Sequence, residues 1–152
     1  MPYVKASRFI KANRLLIWQL VSSFDHYETI HPGIKQVIST NISNNKTILE
    51  VTDLANRKWK EEIVNWKEHY QYTLAVDIEG YPYPLNEHQT TIAITDDVQG
   101  SLLTVTIDYS VKYGPFGKLL DTISIKHALS KLTGQILNNV EQLVSAETLK
   151  NL

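Results

Sequence analysis

Apolar residues recur every second position through the middle of the chain and every third or fourth position near its two ends. At the start, residues 3–10 are rich in branched and aromatic side chains and predict a strand. The spacing that follows predicts a helix over residues 14–24, with Asn13 as its N-cap. A second short helix is expected over residues 26–30, with Asp25 as its cap.

From residue 34 to residue 112 the pattern is that of strands, with one apolar face and one polar face. The predicted strands cover residues 34–40, 46–53, 57–66, 70–78, 88–96 and 101–113, and a polar turn at 41–45 joins the first two. Alternation in the third of these strands puts Trp59, Glu61, Ile63 and Asn65 on one face. Such a pattern is typical of antiparallel strands that bury one face and expose the other to water.

The last segment, from Phe116 onwards, is longer than an average helix and carries two apolar faces. One continuous stripe has helical spacing; its members are Ile125, Leu129, Leu132, Ile136, Val140 and Leu143. Phe116, Leu120 and Ile123 fall about half a turn away from that stripe. Either the helix bends near residues 122–125, or its first turns face something other than the main core. We expect Phe116 and Leu120 to turn inward.

These elements predict an α+β fold in which a seven-stranded antiparallel sheet wraps around a long C-terminal helix, with two short helices after the first strand. This arrangement is called a helix grip. Gly114 and Pro115 end the last strand, because proline cannot donate to the sheet and glycine can adopt the turn. At 152 residues the chain suits one domain, which we place at residues 1–152.

Three stretches carry a resemblance to a known family: IKANRLLIWQLVSSFDHYETIHPGI near the start, WKEEIVNWKEHYQYTLAV in the middle and VTIDYSVKYGPFGKLLD near the end. In their order and spacing the chain resembles the START/SRPBCC superfamily, related in fold to the birch-pollen allergen, and within it the polyketide cyclase/dehydrase and lipid-transport branch. The resemblance implies a deep apolar cavity between the sheet and the long helix. It also implies a hydrophobic small-molecule ligand such as a lipid, a quinone or a polyketide.

Composition excludes several classes of partner and of metal site. The net charge is −1 and there are no cysteines, so disulfides and thiolate metal sites are excluded. Basic residues form no stripe, which argues against nucleic acid as a partner. No apolar run approaches the length of a membrane span, and we expect a cytoplasmic protein without stable membrane insertion. The histidines show no metal-binding spacing, so no metal and no cofactor is expected.

The resemblance and the strand alternation together predict a set of ligand-binding residues on the inner face. They are Trp18, Tyr27, Trp59, Glu61, Ile63, Tyr72, Leu74, Ile92, Ile94, Val105, Ile107, Tyr109, Phe116, Leu120 and Ile123. The loop at residues 79–87, with two prolines and two tyrosines, is either a stiff connection or a gate at the cavity entrance. The five histidines are expected at the surface, although His26 and His31 lie beside Tyr27 at the expected cavity mouth.

Glu61 is the candidate for catalysis. Alternation points its carboxyl group toward the apolar face, where an unpaired charge is costly. It is either a general acid or base, an anchor for a ligand hydroxyl, or a structural group satisfied by a bulge or by Lys58 or Lys60. The function that we predict is binding or transport of a hydrophobic molecule. The alternatives are a cyclase/dehydrase-like enzyme that uses Glu61 with Tyr72 or Tyr109, and a regulatory module that binds a protein partner.

Overall fold

The computed structural model describes residues 2–42 and 46–150, apart from the side chains at positions 42, 117, 120, 122 and 123. Within this part of the chain, the seven strands and the two short helices follow one another in the predicted order, and the predicted long C-terminal helix is divided into two helices. The elements are β1 Tyr3–Ile10, α1 Arg14–Ser22, α2 Tyr27–Ile30, β2 Ile34–Ile42, β3 Lys46–Asp53, β4 Lys58–Lys67, β5 Gln71–Asp77, β6 Leu85–Asp97, β7 Gly100–Val111, α3 Gly114–Leu120 and α4 Lys126–Lys150. The predicted turn at 41–45 lies partly outside the described residues.

The seven strands form one antiparallel sheet in the order β1-β7-β6-β5-β4-β3-β2. Its inner face follows the predicted alternation, most regularly in β7, where Leu103, Val105, Ile107 and Tyr109 are all fully buried. The sheet curves around α4, and the helix-grip fold predicted from the sequence is confirmed.

The predicted inward orientation of Asn65 is wrong. The β4–β5 register shifts between Val64 and Lys67, and Asn65 has a left-handed backbone with φ of 52°. A bulge of this kind breaks the alternation of side chains along a strand. Asn65 is therefore exposed, while Trp59 and Glu61, which precede the irregularity, keep their inward positions.

The two short helices differ in how they begin. In α1, the Asn13 side chain accepts a hydrogen bond from the backbone N–H of Leu16 at 2.8 Å, as the predicted N-cap should. In α2, the residue before the helix is His26 and no side chain caps the end, so the prediction of Asp25 as the cap is wrong. The other end of α2 is fixed by α4, since Asn139 Nδ2 donates to the carbonyl oxygen of Ile30 at 3.0 Å.

The C-terminal helical segment is interrupted where the apolar stripe shifts phase. A π-helical turn at Asp121–Ile125 separates α3 from α4, and such turns change the direction in which the following side chains point. Tyr109 on β7 holds this turn by donating a hydrogen bond to Asp121 Oδ1 at 2.6 Å.

The inward orientation expected for Phe116 is wrong, because its side chain on α3 is 65% exposed. The phase shift at the π-helical turn allows α4 to face the sheet while α3 presents Phe116 and Leu119 to solvent. The side chains of Leu120 and Ile123 lie outside the described part. Among the described residues, no helix is long and apolar enough to cross a membrane.

Candidate functional site

A cavity of about 420 Å³ lies between the sheet and α4. Its walls come from strands β3 to β6, from α2 and the residues after it, from the loop between β5 and β6, and from the first half of α4. The lining residues on the sheet and loops are Tyr27, His31, Pro32, Gly33, Ile34, Asp53, Trp59, Glu61, Leu74, Val76, Tyr81, Tyr83, Pro84, Leu85, His88 and Thr90; those on the helical side are Ile125, Ala128, Leu129, Leu132, Gln135 and Ile136. The volume falls within the range of small-molecule sites, roughly 300–1,000 Å³.

Glu61 places a carboxyl group in the wall of this cavity. It stands in β4 between Leu49 on β3 and Val76 on β5, which are its cross-strand neighbours. Two neighbouring side chains donate to it: Tyr27 Oη to Oε1 at 2.5 Å, and Trp59 Nε1 to Oε2 at 2.8 Å. A carboxylate offers about four acceptor positions, so each oxygen retains capacity for a ligand donor.

Burial dominates the protonation of this group. It raises the pKa of Glu61 above its usual value, because a charge is poorly solvated among apolar strands, while the hydrogen bonds from Tyr27 and Trp59 act in the opposite direction. Burial and the neighbouring Glu61 together raise the pKa of Tyr27 well above its usual value. Tyr27 therefore remains a hydroxyl donor, and the pair suits an uncharged or hydrogen-bonded ligand group.

Two histidines also line the cavity. His31 stacks on Tyr27 with ring centroids 4.0 Å apart, and burial followed by the nearby His88 lowers the pKa of His31 to about 3. Burial likewise lowers the pKa of His88 to about 4. Both imidazoles are therefore neutral at pH 7. The expectation that every histidine lies at the surface is wrong for His88, which is 8% exposed.

His88 is fixed by the loop between β5 and β6. The Tyr81 hydroxyl lies 2.7 Å from His88 Nδ1, and Thr90 Oγ1 lies 3.5 Å from His88 Nε2. Tyr81 also packs edge-on against Trp59, with ring centroids 5.3 Å apart. Residues of this loop, which the sequence suggested as a connection or a gate, thus form part of the cavity wall.

At the rim, Asp53 and Arg57 form a compact ion pair. Arg57 Nε donates to Asp53 Oδ2 at 2.7 Å, and the backbone N–H groups of Ala55 and Arg57 donate to Asp53 Oδ1 at 2.9 and 2.8 Å. Burial raises the pKa of Asp53, but the hydrogen bonds and charge of Arg57 outweigh it, and the pKa is lowered. The guanidinium of Arg57 also lies 5.5 Å from the ring centroid of Tyr83.

Four of the residues nominated from the sequence line the cavity: Tyr27, Trp59, Glu61 and Leu74. Most of the others lie in packed parts of the core. Ile92, Ile94, Val105 and Ile107 are fully buried and Ile63 packs against the core, yet none of these five is a lining residue. Phe116 points to solvent, and the side chains of Leu120 and Ile123 lie outside the described part.

The three remaining nominated aromatic residues have structural contacts instead. Tyr72 donates to the carbonyl oxygen of Val21 at 2.8 Å, and Tyr109 donates to Asp121. Trp18 packs edge-on against Tyr72, with centroids 5.9 Å apart. Neither tyrosine lines the cavity, so the acid or base role considered for Tyr72 or Tyr109 has no support from its position.

Sequence reasoning missed His88 and Thr90, although a signal for both was present. In β6, alternate residues run from His88 through Thr90 and Ile92 to Ile94, and all four are buried. Alternation that assigns Ile92 and Ile94 to the inner face assigns His88 and Thr90 to it as well. Most cavity residues of α4 belong to the predicted apolar stripe, but a stripe does not distinguish a packed surface from a cavity wall.

Within the described residues, no group of three or more histidine, aspartate or glutamate side chains is arranged to hold a metal ion. The cavity wall is mostly apolar and carries two carboxyl groups, those of Asp53 and Glu61, together with two neutral imidazoles and tyrosine hydroxyls. Chemically, it can enclose a hydrophobic molecule, exchange hydrogen bonds with its polar groups, and present Glu61 to it as a proton donor or acceptor.

Comparison with known families gives one match. The model that describes polyketide cyclase/dehydrase and lipid-transport proteins matches residues 1–145. By sequence, no curated protein matches the chain significantly.

Solved structures share the fold at low sequence identity. A protein from Thermus thermophilus superimposes with a TM-score of 0.74 at 17% identity, covering 96% of this chain and 99% of that one. The di-domain aromatase/cyclase StfQ of the steffimycin biosynthetic pathway gives 0.76 at 12% identity, with 96% of this chain and 51% of that one, so this chain spans about half of StfQ. Norcoclaurine synthase from Thalictrum flavum, in complex with dopamine and hydroxybenzaldehyde, gives 0.69 at 15% identity, with coverages of 95% and 87%.

Proposed function

Since the chain belongs to the polyketide cyclase/dehydrase and lipid-transport family, we propose that it binds a hydrophobic small molecule in the cavity between the sheet and α4. The ligand is of the lipid, quinone or polyketide-like aromatic class. The observation that carries this proposal is the cavity itself: about 420 Å³ lined by mostly apolar side chains, with the hydrogen-bonded carboxyl group of Glu61 in its wall.

The composition of the wall supports binding of this kind. Small-molecule sites are mostly apolar and have a few polar groups that orient the ligand. Leu74, Val76 and Leu132 supply apolar surface, while Glu61 and His31 supply hydrogen-bonding groups. Elsewhere on the sheet, Ile92 and Val105 are fully buried and do not line the cavity.

Native mass spectrometry of the gently purified protein tests the proposal directly. We expect an additional mass of a few hundred daltons that is released on unfolding and extracts into organic solvent. If the protein is empty, it should bind members of a panel that includes a quinone, a long-chain alcohol and a polycyclic aromatic alcohol. An empty protein that binds none of them would contradict the proposal.

A matched pair of variants on α4 locates the binding. Leu132 lines the cavity, whereas Leu143 belongs to the same stripe, is also half-buried, and does not line it. Leu132→Trp should fill part of the cavity and weaken binding by at least tenfold, and Leu143→Trp should leave the affinity within about threefold. Equal effects of the two substitutions would place binding elsewhere.

A second candidate function is catalysis of the cyclase or dehydrase kind. It is favoured by the position of Glu61 in the cavity wall, with its raised pKa and its contact with the Tyr27 hydroxyl. A carboxyl group with a pKa nearer neutrality exchanges protons more readily with a bound substrate at physiological pH. In this role Glu61 is the general acid or base, and Tyr27 orients it.

Glu61→Gln separates the two functions. A catalyst should keep its fold and lose about 10²–10⁴ in rate, whereas a carrier should lose about 1 kcal/mol of binding through one altered hydrogen bond. Glu62→Gln is the matched control, because Glu62 is the next residue of β4 and its side chain contacts Lys46 at 3.6 Å on the opposite face. Turnover of a bound polyketide-like substrate that survives Glu61→Gln unchanged would exclude catalysis by this carboxyl group.

A further inference from the structure

Among the described residues that line the cavity, the only charged side chains are acidic. Among the described lining residues, two are acidic, Asp53 and Glu61, and none is lysine or arginine. The two lining histidines do not supply positive charge near neutral pH, because burial lowers the pKa of His31 to about 3 and that of His88 to about 4. The described lining residues therefore include no cation with which an anionic ligand can pair at neutral pH.

Glu61 makes the interior still less favourable for a negative charge. Glu61 lines the cavity, and its two carboxyl oxygens accept hydrogen bonds from Tyr27 and Trp59. A ligand carboxylate placed there would lose its hydration without gaining a counter-charge, and such burial is strongly unfavourable. A hydroxyl group, in contrast, can donate to a carboxyl oxygen of Glu61 and accept from a neutral imidazole.

Arg57, the cation next to the cavity, does not make binding of a ligand carboxylate more favourable. Arg57 is held by Asp53, whose carboxylate it contacts at 2.7 Å, and its guanidinium lies against the ring of Tyr83. Its side chain is 49% exposed, so the pair is solvated on its outer side. A ligand carboxylate at the rim would compete with Asp53 for Arg57 and would face the negative charge of Asp53.

On the basis of the proposed function, we propose that the cavity takes hydrophobic ligands whose polar end is an uncharged hydroxyl group and that it excludes carboxylates such as fatty-acid anions. The geometry of Glu61, Tyr27 and the two histidines sets this selectivity. The ligand class is thereby narrowed to alcohols and phenols, including hydroquinones and phenolic polyketides.

Three probes that differ in one substituent test the inference: 2-methylnaphthalene, naphthalene-2-methanol and naphthalene-2-carboxylate. Affinities are measured by calorimetry or by tryptophan fluorescence at pH 7.5. We expect the alcohol to bind at least tenfold tighter than the carboxylate and at least as tightly as the methyl compound. A carboxylate that binds within threefold of the alcohol would overturn the charge selectivity alone, whereas failure of all three probes to bind would count against the proposed function as well.

The pH dependence provides a second readout. If only the protonated acid enters, the apparent affinity of naphthalene-2-carboxylate should rise about tenfold for each unit by which the pH is lowered from 7.5 to 5. Over this range the pH lies above the ordinary carboxylic pKa, so each unit of decrease raises the protonated fraction about tenfold. An affinity of this probe that is constant over the same range would show that the anion itself binds, and would contradict the inference.

Variants identify the source of the selectivity. Glu61→Gln should narrow the difference between alcohol and carboxylate by at least threefold, because it removes the buried acidic group, and Glu62→Gln should leave the difference unchanged. Arg57→Gln should not narrow the difference, since Arg57 pairs with Asp53 and its loss leaves the negative charge of Asp53 without its partner. A difference that survives Glu61→Gln in a folded protein would contradict the role assigned to Glu61.

Discussion

Tyr27 is the residue that most directly controls the buried carboxyl group, since its hydroxyl lies 2.5 Å from Glu61 Oε1. Tyr27→Phe should lower the free energy of unfolding by about 1–3 kcal/mol, the usual effect of leaving a buried acceptor without its donor. The same change should raise the pKa of Glu61 further, because a hydrogen bond that favours the charged form is lost. Urea unfolding and a carbon-13 NMR titration of the Glu61 carboxyl measure the two effects.

The control for this variant is Tyr3→Phe, because Tyr3 is 58% exposed on β1 and should change stability by less than about 0.5 kcal/mol. Equal stabilities of Tyr27→Phe and the native protein would show that the Tyr27 hydroxyl contributes nothing to the fold. An unchanged pKa of Glu61 would show that burial alone sets its protonation.

His31 and His88 make stability depend on pH below neutrality. Their pKa values in the folded protein, about 3 and about 4, lie below the value of 6.5 expected in the unfolded chain. The unfolded chain therefore binds more protons below pH 6.5, and stability falls as the pH decreases from about 6.5 toward 4. Each histidine contributes a slope of at most about 1.4 kcal/mol per pH unit.

Glu61 has the opposite effect on stability. Because its pKa is raised in the folded protein, the folded state binds a proton more readily than the unfolded chain, and this increases stability as the pH decreases. We expect the histidines to dominate, since there are two of them. Unfolding by urea at pH 7, 6 and 5 measures the slope, and it should be smaller in His88→Gln than in the native protein. Stability that is flat between pH 7 and 5 would contradict the neutral state of both imidazoles.

At the scale of elements, two glycines differ in the space around them. Gly134 lies within α4, and a Cβ atom built there has no heavy atom within 4 Å apart from the neighbouring backbone of its own helix. A Cβ atom at Gly100, where β7 begins, would lie 2.5 Å from the carbonyl oxygen of Ile10 and 2.7 Å from the ring of Phe9. The first site therefore has room for a methyl group, and the second would force β1 away from β7.

Gly134→Ala should raise the free energy of unfolding by about 0.5–1 kcal/mol, because alanine has the higher helix propensity. Gly100→Ala should lower it by about 1–3 kcal/mol through overpacking. Thermal and urea unfolding of the two variants make the comparison, with amide exchange in β1 as a local readout. A destabilising Gly134→Ala would mean that α4 packs more tightly at this point than its described surroundings indicate.

The helices and strands could be predicted from the sequence where a local feature, such as a capping side chain or a regular alternation, determines them. Asn13 caps α1 through its own side chain, and the alternation of β7 matches its burial from Gly100 to Ser110. The failures occur where a position depends on geometry beyond the repeat. Asn65 lies within a bulge, which simple alternation does not predict, and Phe116 precedes a π-helical turn that changes the direction of the following side chains.

At the scale of the whole molecule, the site was less predictable than the fold, for a physical reason. Periodicity states which side chains face inward, but both a packed core and a cavity wall face inward. Leu74 lines the cavity, whereas Ile92, on the neighbouring strand, is packed. The difference depends on the distance of α2 and α4 from the sheet at each point, and that distance cannot be predicted from the sequence of any single segment.

A matched pair of valines tests this division of the interior. Val76 on β5 lines the cavity, and Val105 on β7 is fully buried and does not line it. Val105→Phe should lower the free energy of unfolding by about 1–3 kcal/mol, because added volume in a packed core forces its neighbours apart. Val76→Phe should change stability by less than about 1 kcal/mol, because the ring can occupy empty volume, yet it should weaken binding of naphthalene-2-methanol by at least tenfold. If Val76→Phe were as destabilising as Val105→Phe, the space beside Val76 would be filled in solution and the binding site would lie elsewhere.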